Sequence, residues 1–277
     1  MGFRINTNVP SLAAQRSLGK SVNEQNQTFM RLSSGSRIVK AGDDAAGLAI
    51  SEQLRSEIRG TKQAERNAND GISLIQTAEG GLNELSNILI RLRELSVQAA
   101  SDTIGNQERK FSDLEFQSLV QEVDRISSST KYNGRALLNG EGGSVDIQVG
   151  TSNNPELDRI KYEAQENQAT ASHLEIKGLN IAEKEGAQEN LDKIDKALNM
   201  VNGNRATLGA LQNRISSTIN TLQIKSENLS AANSRIRDAD VAEESAKLIK
   251  SNILTSAGTS VLSQANMSAM QAVKLLG

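Results

Sequence analysis

Residues 194–236 read IDKALNMVNGNRATLGALQNRISSTINTLQIKSENLSAANSRI, and an apolar residue recurs at every seventh position of this stretch. An uninterrupted seven-residue step is typical of a helix that packs one seam against another helix. A helix of this span would be about 63 Å long. A compact globule of 277 residues would be about 50 Å across. The sequence therefore predicts an elongated helical bundle, a rod. The seam residues are Ile194, Val201, Leu208, Ile215, Leu222, Leu229 and Ile236.

The composition argues against several classes of function. The chain has no cysteine and one histidine, His173, which excludes thiolate and disulfide chemistry and makes a histidine-rich metal site untenable. A net charge of −2 gives no argument for nucleic acid as a partner. No apolar run approaches the roughly 18 residues of a membrane span. We expect no cofactor, no metal and no catalytic residues, and so no enzyme.

Further helical patterns flank the seam. Residues 1–32 carry a loose amphipathic pattern, and residues 33–42 read as a connector rich in serine and glycine. Asp43 and Asp44 are predicted to cap a long second helix, because a carboxylate accepts hydrogen bonds from the free N–H groups of a first turn. That second helix is predicted to pack against the 194–236 seam.

Short β-structure is predicted between the third helix and the seam. The third helix carries Phe116, Val123 and other apolar residues at helical spacing. Asn133-Gly134 then favours a type I′ hairpin turn, since both residues tolerate positive φ angles. Polar residues dominate from 151 to 186, which we interpret as loop and short strands. Strand candidates lie at 144–149, 159–162 and 173–176.

After a joint marked by Asp238 and Asp240, residues 241–276 resume an amphipathic helical pattern. Both ends of the chain thus carry an apolar face too wide for a solitary helix. Faces of this kind indicate a partner.

Several blocks of this sequence resemble bacterial flagellin, in a short form with only the core domains. Any one block would be weak support, but together they follow the order of that family over residues 1–150 and 187–277. The blocks include LSSGSRI at 32–38, DDAAGLAI at 43–50, LRELSVQA at 92–99, SRIRDAD at 234–240 and LSQAN at 262–266.

The resemblance implies a mainly α fold. We expect a long antiparallel helical bundle with a small β-hairpin region and paired terminal amphipathic helices. Terminal helices at 1–42 and 237–277 would form an inner-tube domain. Residues 43–150 and 187–236 would form the helical core with its hairpin, and 151–186 would be a short loop and strand segment in place of outer domains.

The resemblance also implies a function. The chain would be a structural subunit that self-assembles into the flagellar filament used for swimming, with its terminal helices folding as it polymerises. Subunits would pack through Arg91, Leu95, Gln98 and Glu115, a patch that a Toll-like immune receptor reads in some flagellins. Inner-tube assembly would use Ile5, Val9, Leu12, Leu248, Ile249, Ile253, Val261, Leu262, Val273 and Leu276.

The implied partners are further copies of the chain, an export chaperone on the C-terminal helix, hook-junction and cap proteins, and in some hosts that Toll-like receptor. Neither nucleic acid nor membrane insertion is expected. The family is secreted through the channel of the flagellum itself and lies in the extracellular filament. Two alternatives remain open, a hook–filament junction protein and a coiled-coil binding or adhesin module.

Overall fold

The structure is a computed structural model that describes residues 7–274, with the side chains of residues 7–267. This part of the chain confirms the predicted mainly α bundle with a small β region. Its helices are α1 (Val9–Ser34), α2 (Ala45–Ala99), α3 (Asn106–Ser129), α4 (Lys184–Arg237) and α5 (Val241–Lys274). Its strands are β1 (Lys131–Tyr132), β2 (Arg135–Ala136), β3 (Ser144–Gln148) and β4 (Arg159–Glu163).

The chain divides into two compact units. The first comprises Met1–Glu57 with Asn228–Gly277, and the second comprises Ile58–Glu227. The hydrophobic core built from α2, α3, α4 and the β region lies in the second unit. The terminal helices α1 and α5 belong to the first unit.

In the second unit, the heptad seam of α4 is buried as predicted. Its residues from Ile194 to Ile215 are at most 1% exposed, and they pack in one cluster with leucines of α2. The two helices run antiparallel, because Arg93 bonds Asp195 at 2.6 Å while Gln223 bonds Glu65 at 2.8 Å. Burial of the seam supplies the driving force for this pairing.

Both hairpins form. Asn133 and Gly134 adopt φ angles of 49° and 82°, as the predicted type I′ turn requires, and connect β1 to β2. Strand β3 pairs antiparallel with β4, with Val145 opposite Tyr162. These strands confirm the candidates at 144–149 and 159–162.

The strand predicted at 173–176 is wrong. Glu175 has a φ of 56°, and the backbone N–H groups of Ile176 and Lys177 both donate to the carbonyl of Ala171, which closes a turn. A left-handed residue interrupts the extended backbone that a strand needs. The apolar residues of this stretch therefore reach the core from a turn.

Residues 164–181 run antiparallel to α3, held by side chains of that helix. Asp124 accepts a hydrogen bond from the backbone N–H of Ala171 at 2.8 Å. Further along, Gln117 donates to the carbonyl of Leu179 at 2.7 Å, and Asp113 accepts from the N–H of Ile181 at 2.9 Å. Because these bonds satisfy the backbone, the segment can bury its apolar side chains. Buried members are Ala164, Ala169, Ala171, Leu174, Ile176, Leu179 and Ile181.

Short polar side chains cap the N-termini of the helices that begin in the first unit. Asn8 caps α1 by accepting from the N–H of Ser11 at 3.0 Å, and Asp240 caps α5 by accepting from Ala242 at 2.8 Å. Of the two candidate caps for α2, Asp44 is the one used, and it accepts from the N–H of Gly47 at 2.8 Å. A side chain at position 47 would collide with that carboxylate, so glycine permits the cap.

Candidate assembly surface

Helices α1 and α5 lie antiparallel and contact each other along their length. In the first turn of α1, the amide of Asn8 donates to the carbonyl of Ala265 at 2.9 Å. At the other end of α1, Arg31 faces Glu244 across 3.6 Å. Side-chain contacts therefore connect α1 to α5 at both ends of α1.

The buried side chains of this helix pair are polar. In α1 they are Ser11, Ser21 and Thr28, and in the described part of α5 they are Glu244 and Ser251. Hydroxyl groups at these positions can bond the preceding turn of their own helix, as Ser251 does to the carbonyl of Lys247 at 2.9 Å. The contact between the helices thus fully buries polar groups, while apolar side chains such as Leu18 and Leu248 are half-buried.

Large apolar side chains of the same two helices are exposed. Phe29 and Ile253 are each 63% exposed. Single exposed apolar residues are ordinary on a protein surface, but many on two paired helices are typical of an interaction surface. Among the described side chains of α1 and α5 the exposed set is Val9, Leu12, Phe29, Val241, Ile249, Ile253, Leu254, Val261 and Met267.

The structure places the sequence-predicted assembly residues as follows. Five are exposed on α1 and α5, and two, Leu248 and Leu262, are half-buried. Ile5 and Leu276 lie outside the described residues, and Val273 lies in α5 with its side chain outside the described part. The five exposed residues are Val9, Leu12, Ile249, Ile253 and Val261.

Sequence reasoning did not include Phe29, Val241, Leu254 and Met267 among the assembly residues. An amphipathic pattern assigns one face to the outside, whereas α5 exposes both Ile253 and the adjacent Leu254. A helix that is apolar on several faces is the sequence signal for complete burial in an assembly.

The connectors on either side of the helix pair are joined by backbone hydrogen bonds. Ser36 and Asp238 form an antiparallel bridge. The N–H of Arg37 donates to the carbonyl of Arg237 at 2.6 Å, and that of Ala239 donates to Gly35 at 3.0 Å. These bonds fix where α1 ends relative to the start of α5.

An ion pair supports the same joint. Arg237 bonds Glu52 on the first turns of α2, at 2.5 Å. This hydrogen bond lowers the pKa of the Glu52 carboxyl, so the carboxyl stays charged to a lower pH than an isolated glutamate would.

The second predicted surface lies on α2 and α3. Arg91 donates from Nε to Glu115 at 2.9 Å and from Nη1 to Glu94, also at 2.9 Å, and these bonds raise the pKa of its guanidinium. Gln98 is exposed on the same helix. Leu95 is 2% exposed and packs in the core, so it lies beneath this patch and is not part of its surface.

Two apolar residues that the sequence analysis did not single out border this patch. Phe111 and Leu114 are about two-thirds exposed on α3, within one turn of Glu115. Their exposure adds apolar area to a patch otherwise formed by charged and amide groups. Helical spacing from Phe116 leaves both residues off the apolar stripe of α3, but spacing alone does not show what they would contact.

The described residues show neither a metal-binding group nor a membrane-spanning helix. No three His, Asp or Glu side chains come together there as a metal site would require. No helix in the described part combines the length and apolar character needed to cross a bilayer.

Comparison with known proteins gives consistent matches at both ends of the chain. A family model of the bacterial flagellin N-terminal helical region matches residues 5–142. A second model, of the bacterial flagellin C-terminal helical region, matches residues 191–276. A flagellin of Halalkalibacterium halodurans is 44% identical over 274 residues, which are 98% of this chain and 99% of the relative.

Solved structures extend this similarity to the fold. The crystal structure of Bacillus cereus flagellin, 29% identical, has a TM-score of 0.51 and covers 61% of this chain and 94% of that chain. A Vibrio parahaemolyticus protein described as flagellar hook-associated has a TM-score of 0.59 at 16% identity, over 71% of this chain and 100% of that chain. At such low identity the second likeness concerns the fold alone.

Proposed function

This chain belongs to the bacterial flagellin family and is a structural subunit of the flagellar filament. From that premise we propose that it polymerises by burying the exposed apolar side chains of α1 and α5 against the same helices of neighbouring copies. The observation that carries the proposal is the arrangement of this helix pair, in which polar groups are buried and large apolar ones are exposed. Apolar burial is the main favourable term in association.

Folding and assembly are coupled in this proposal. Helices that contact each other through hydroxyl groups gain little from their own pairing, whereas ordering their backbones carries a large entropic cost. Burial of residues such as Phe29 and Ile253 between subunits supplies the favourable free energy that the isolated helix pair lacks. Terminal segments 1–42 and 237–277 would thus form the inner tube, beneath a core of residues 43–150 and 187–236. Segment 151–186 would stand in place of outer domains.

The patch of Arg91, Gln98 and Glu115, with Leu95 beneath it, would pack against a neighbouring subunit. Its exposed ion pair and the adjacent Phe111 support this role. The same patch would be the one available to a Toll-like receptor.

The remaining partners follow from the location and exposure of α5. Its apolar side chains need cover between synthesis and export, which supports an export chaperone on the C-terminal helix. Hook-junction and cap proteins would meet the chain at the two ends of the extracellular filament. Similarity over nearly the full length to a flagellin favours the filament role over a junction protein or an adhesin.

A charge placed on the apolar face tests the proposal. We expect Ile253→Asp to abolish filaments, because a carboxylate would be buried between subunits without a partner. Circular dichroism should show that the variant keeps the helix content of the soluble chain. Electron microscopy after salting-out measures filament formation.

Ile224→Asp is the matched control, since Ile224 is 60% exposed on α4 in the second unit. We expect this variant to form filaments. Long filaments from Ile253→Asp would refute the proposal, as would an unchanged chain that stays monomeric under every polymerising condition.

A further inference from the structure

The fully buried side chains of α1 and α5 define the alignment of the two helices only weakly by shape. The buried Ser11, Ser21 and Thr28 face a partner helix that buries Ser251 and brings Gly258 against Leu18. In a coiled coil, large side chains fit into holes and resist sliding. Serine and threonine side chains are too small to act as such knobs, so the buried positions of α1 resist sliding only weakly. The contact that does depend on shape is that of Leu18 with Gly258, which a shift by one turn would replace by a contact with Leu254 or Leu262.

Two side-chain hydrogen bonds across the pair are specific to one alignment. Ser11 donates from Oγ to the amide oxygen of Asn266 at 2.9 Å, and Gln25 donates from Nε2 to Asn252 at 2.5 Å. Ser11 and Gln25 are 14 residues apart on α1, and Asn266 and Asn252 are 14 residues apart on α5. Because the two spacings agree, one alignment of the helices satisfies both bonds, and a shift by one turn loses both.

We propose that these two polar pairs, Ser11–Asn266 and Gln25–Asn252, set the register of α1 on α5. This inference rests on the proposed function, since register decides how the apolar residues of two helices combine into one outer surface. In the single chain Ser11 is buried and Gln25 is half-buried, whereas Asn252 and Asn266 are exposed and would be enclosed between neighbouring copies. A polar group inside a helix interface specifies alignment at some cost in stability. The preference for this register increases on polymerisation, because an unpaired amide costs more free energy once neighbouring copies exclude water.

The register can be measured by cross-linking, because the chain contains no cysteine of its own. Interpolation between the contacts at positions 18 and 25 places Ser21 opposite Thr255. Ser21→Cys with Thr255→Cys therefore reports the observed register, and Ser21→Cys with Ser251→Cys reports a shift of about one turn. Mild oxidation followed by non-reducing electrophoresis separates links within a chain from links between chains.

In filaments of the otherwise unchanged chain, the first cysteine pair should cross-link about tenfold more than the second, the factor expected from losing two ordinary hydrogen bonds. Combining Ser11→Ala, Gln25→Leu and Asn252→Leu removes both polar pairs and should bring the ratio well below tenfold, with Arg31–Glu244 and the contact of Leu18 with Gly258 accounting for the preference that remains. Exchanging the two residues, Gln25→Asn with Asn252→Gln, keeps the mid-helix bond and should keep the ratio.

Gln15→Leu with Gln264→Leu is the matched control, since both residues are exposed on the same helices. It should leave the ratio unchanged. A triple variant that keeps the tenfold preference would overturn the proposal. If the triple variant forms no filaments, the ratio of the two cross-links is measured in its soluble form instead. If the unchanged chain forms no filaments, the proposed function fails, whereas a preserved ratio in its soluble form would still support the register assignment.

Discussion

Arg109 closes the turn between α2 and α3. Its guanidinium is buried, with 7% of the residue exposed, and donates to the carbonyls of Ala99 and Ser101 and to the side chain of Asn106, each at 2.8 Å. These acceptors lie at the end of α2 and the start of α3. An arginine serves here because its planar fork can reach several acceptors at once. The sequence offered no sign of this role, since the acceptors are mostly backbone atoms.

Replacing Arg109 by Met should lower the free energy of unfolding by about 2–4 kcal/mol, because three acceptors would lose their donor in a buried site. Arg109→Lys should recover only part of this loss, since an ammonium group lacks the fork geometry. Urea unfolding followed by circular dichroism measures the change. Lys110→Met, on the exposed neighbour, is the control and should change stability by less than about 0.5 kcal/mol. Equal effects of the two Met variants would contradict this role for Arg109.

Two ion pairs between elements of the second unit predict acid sensitivity. The hydrogen bond from Arg93 lowers the pKa of Asp195 below its ordinary value of 3.8, and Lys184 lowers that of Asp102 in the same way. A carboxyl whose pKa is lower in the folded state contributes stability above its unfolded pKa and loses that contribution as pH falls through its folded pKa. The loss of stability therefore begins near a pH equal to the ordinary pKa of aspartate and continues at lower pH.

We expect the double variant Asp102→Asn, Asp195→Asn to show a shallower loss of stability between about pH 5 and pH 2 than the unchanged chain does. Denaturant unfolding at a series of pH values gives both slopes. Asp192→Asn, an exposed acid on α4, is the control and should leave the slope as it was. Parallel curves for the double variant and the unchanged chain would show that these pairs contribute nothing.

At the level of elements, regular patterns were predictable and side-chain anchoring was not. The heptad repeat predicted α4 and its burial, and Asn133-Gly134 predicted the first hairpin, because both signals depend on local spacing or backbone preference. Residues 164–181 look polar in sequence, yet Asp124 and Gln117 of α3 bind their backbone and allow their apolar groups into the core. No local pattern can reveal a bond to a helix 47 or 62 residues away.

Helix α1 shows the same limit for the candidate site. Apolar spacing predicted an amphipathic helix, and such a helix usually turns its apolar face inward. The structure instead buries Ser11, Ser21 and Thr28 and exposes Phe29. The width of the apolar face predicted a partner, but its spacing could not show that α5 covers the serine and threonine positions of α1 and leaves Phe29 exposed.

The α4 seam gives a prediction at this scale. Leu208→Ala should cost about 2–5 kcal/mol, because Leu208 is 1% exposed and its truncation leaves a cavity against α2. Ile224→Ala removes a similar aliphatic group from the same helix at a site that is 60% exposed, and should cost less than about 1 kcal/mol. Thermal and urea unfolding of both variants compares them directly. A small cost at Leu208 would mean that the seam is not the stabilising contact.

At the scale of the whole molecule, the hydrophobic core and the exposed apolar surface of α1 and α5 lie in different units. Every buried residue of the main hydrophobic cluster lies between Ala68 and Ile215. The described side chains of α1 and α5 contribute none of them, although those helices expose many large apolar side chains. The core of the second unit and the apolar surface proposed for the terminal helices thus use different residues.

This separation predicts the behaviour of a chain reduced to residues 41–240. It should keep the cooperative thermal unfolding of the second unit, with a midpoint within about 5 °C of the full chain, because no residue of the main hydrophobic cluster has been removed. It should form no filaments under salting-out conditions in which the full chain does, since both terminal helices are missing. Circular dichroism on heating and electron microscopy measure the two properties.

A chain that ends at residue 205 is the control, because it lacks Leu208 and Ile215 of the core and should lose cooperative unfolding. If the 41–240 chain melts far below the full chain, α1 and α5 must stabilise the second unit, contrary to the distribution of buried residues. Filaments from the 41–240 chain would place the subunit contacts on the α2–α4 bundle, and the exposed apolar faces of α1 and α5 would then require another partner.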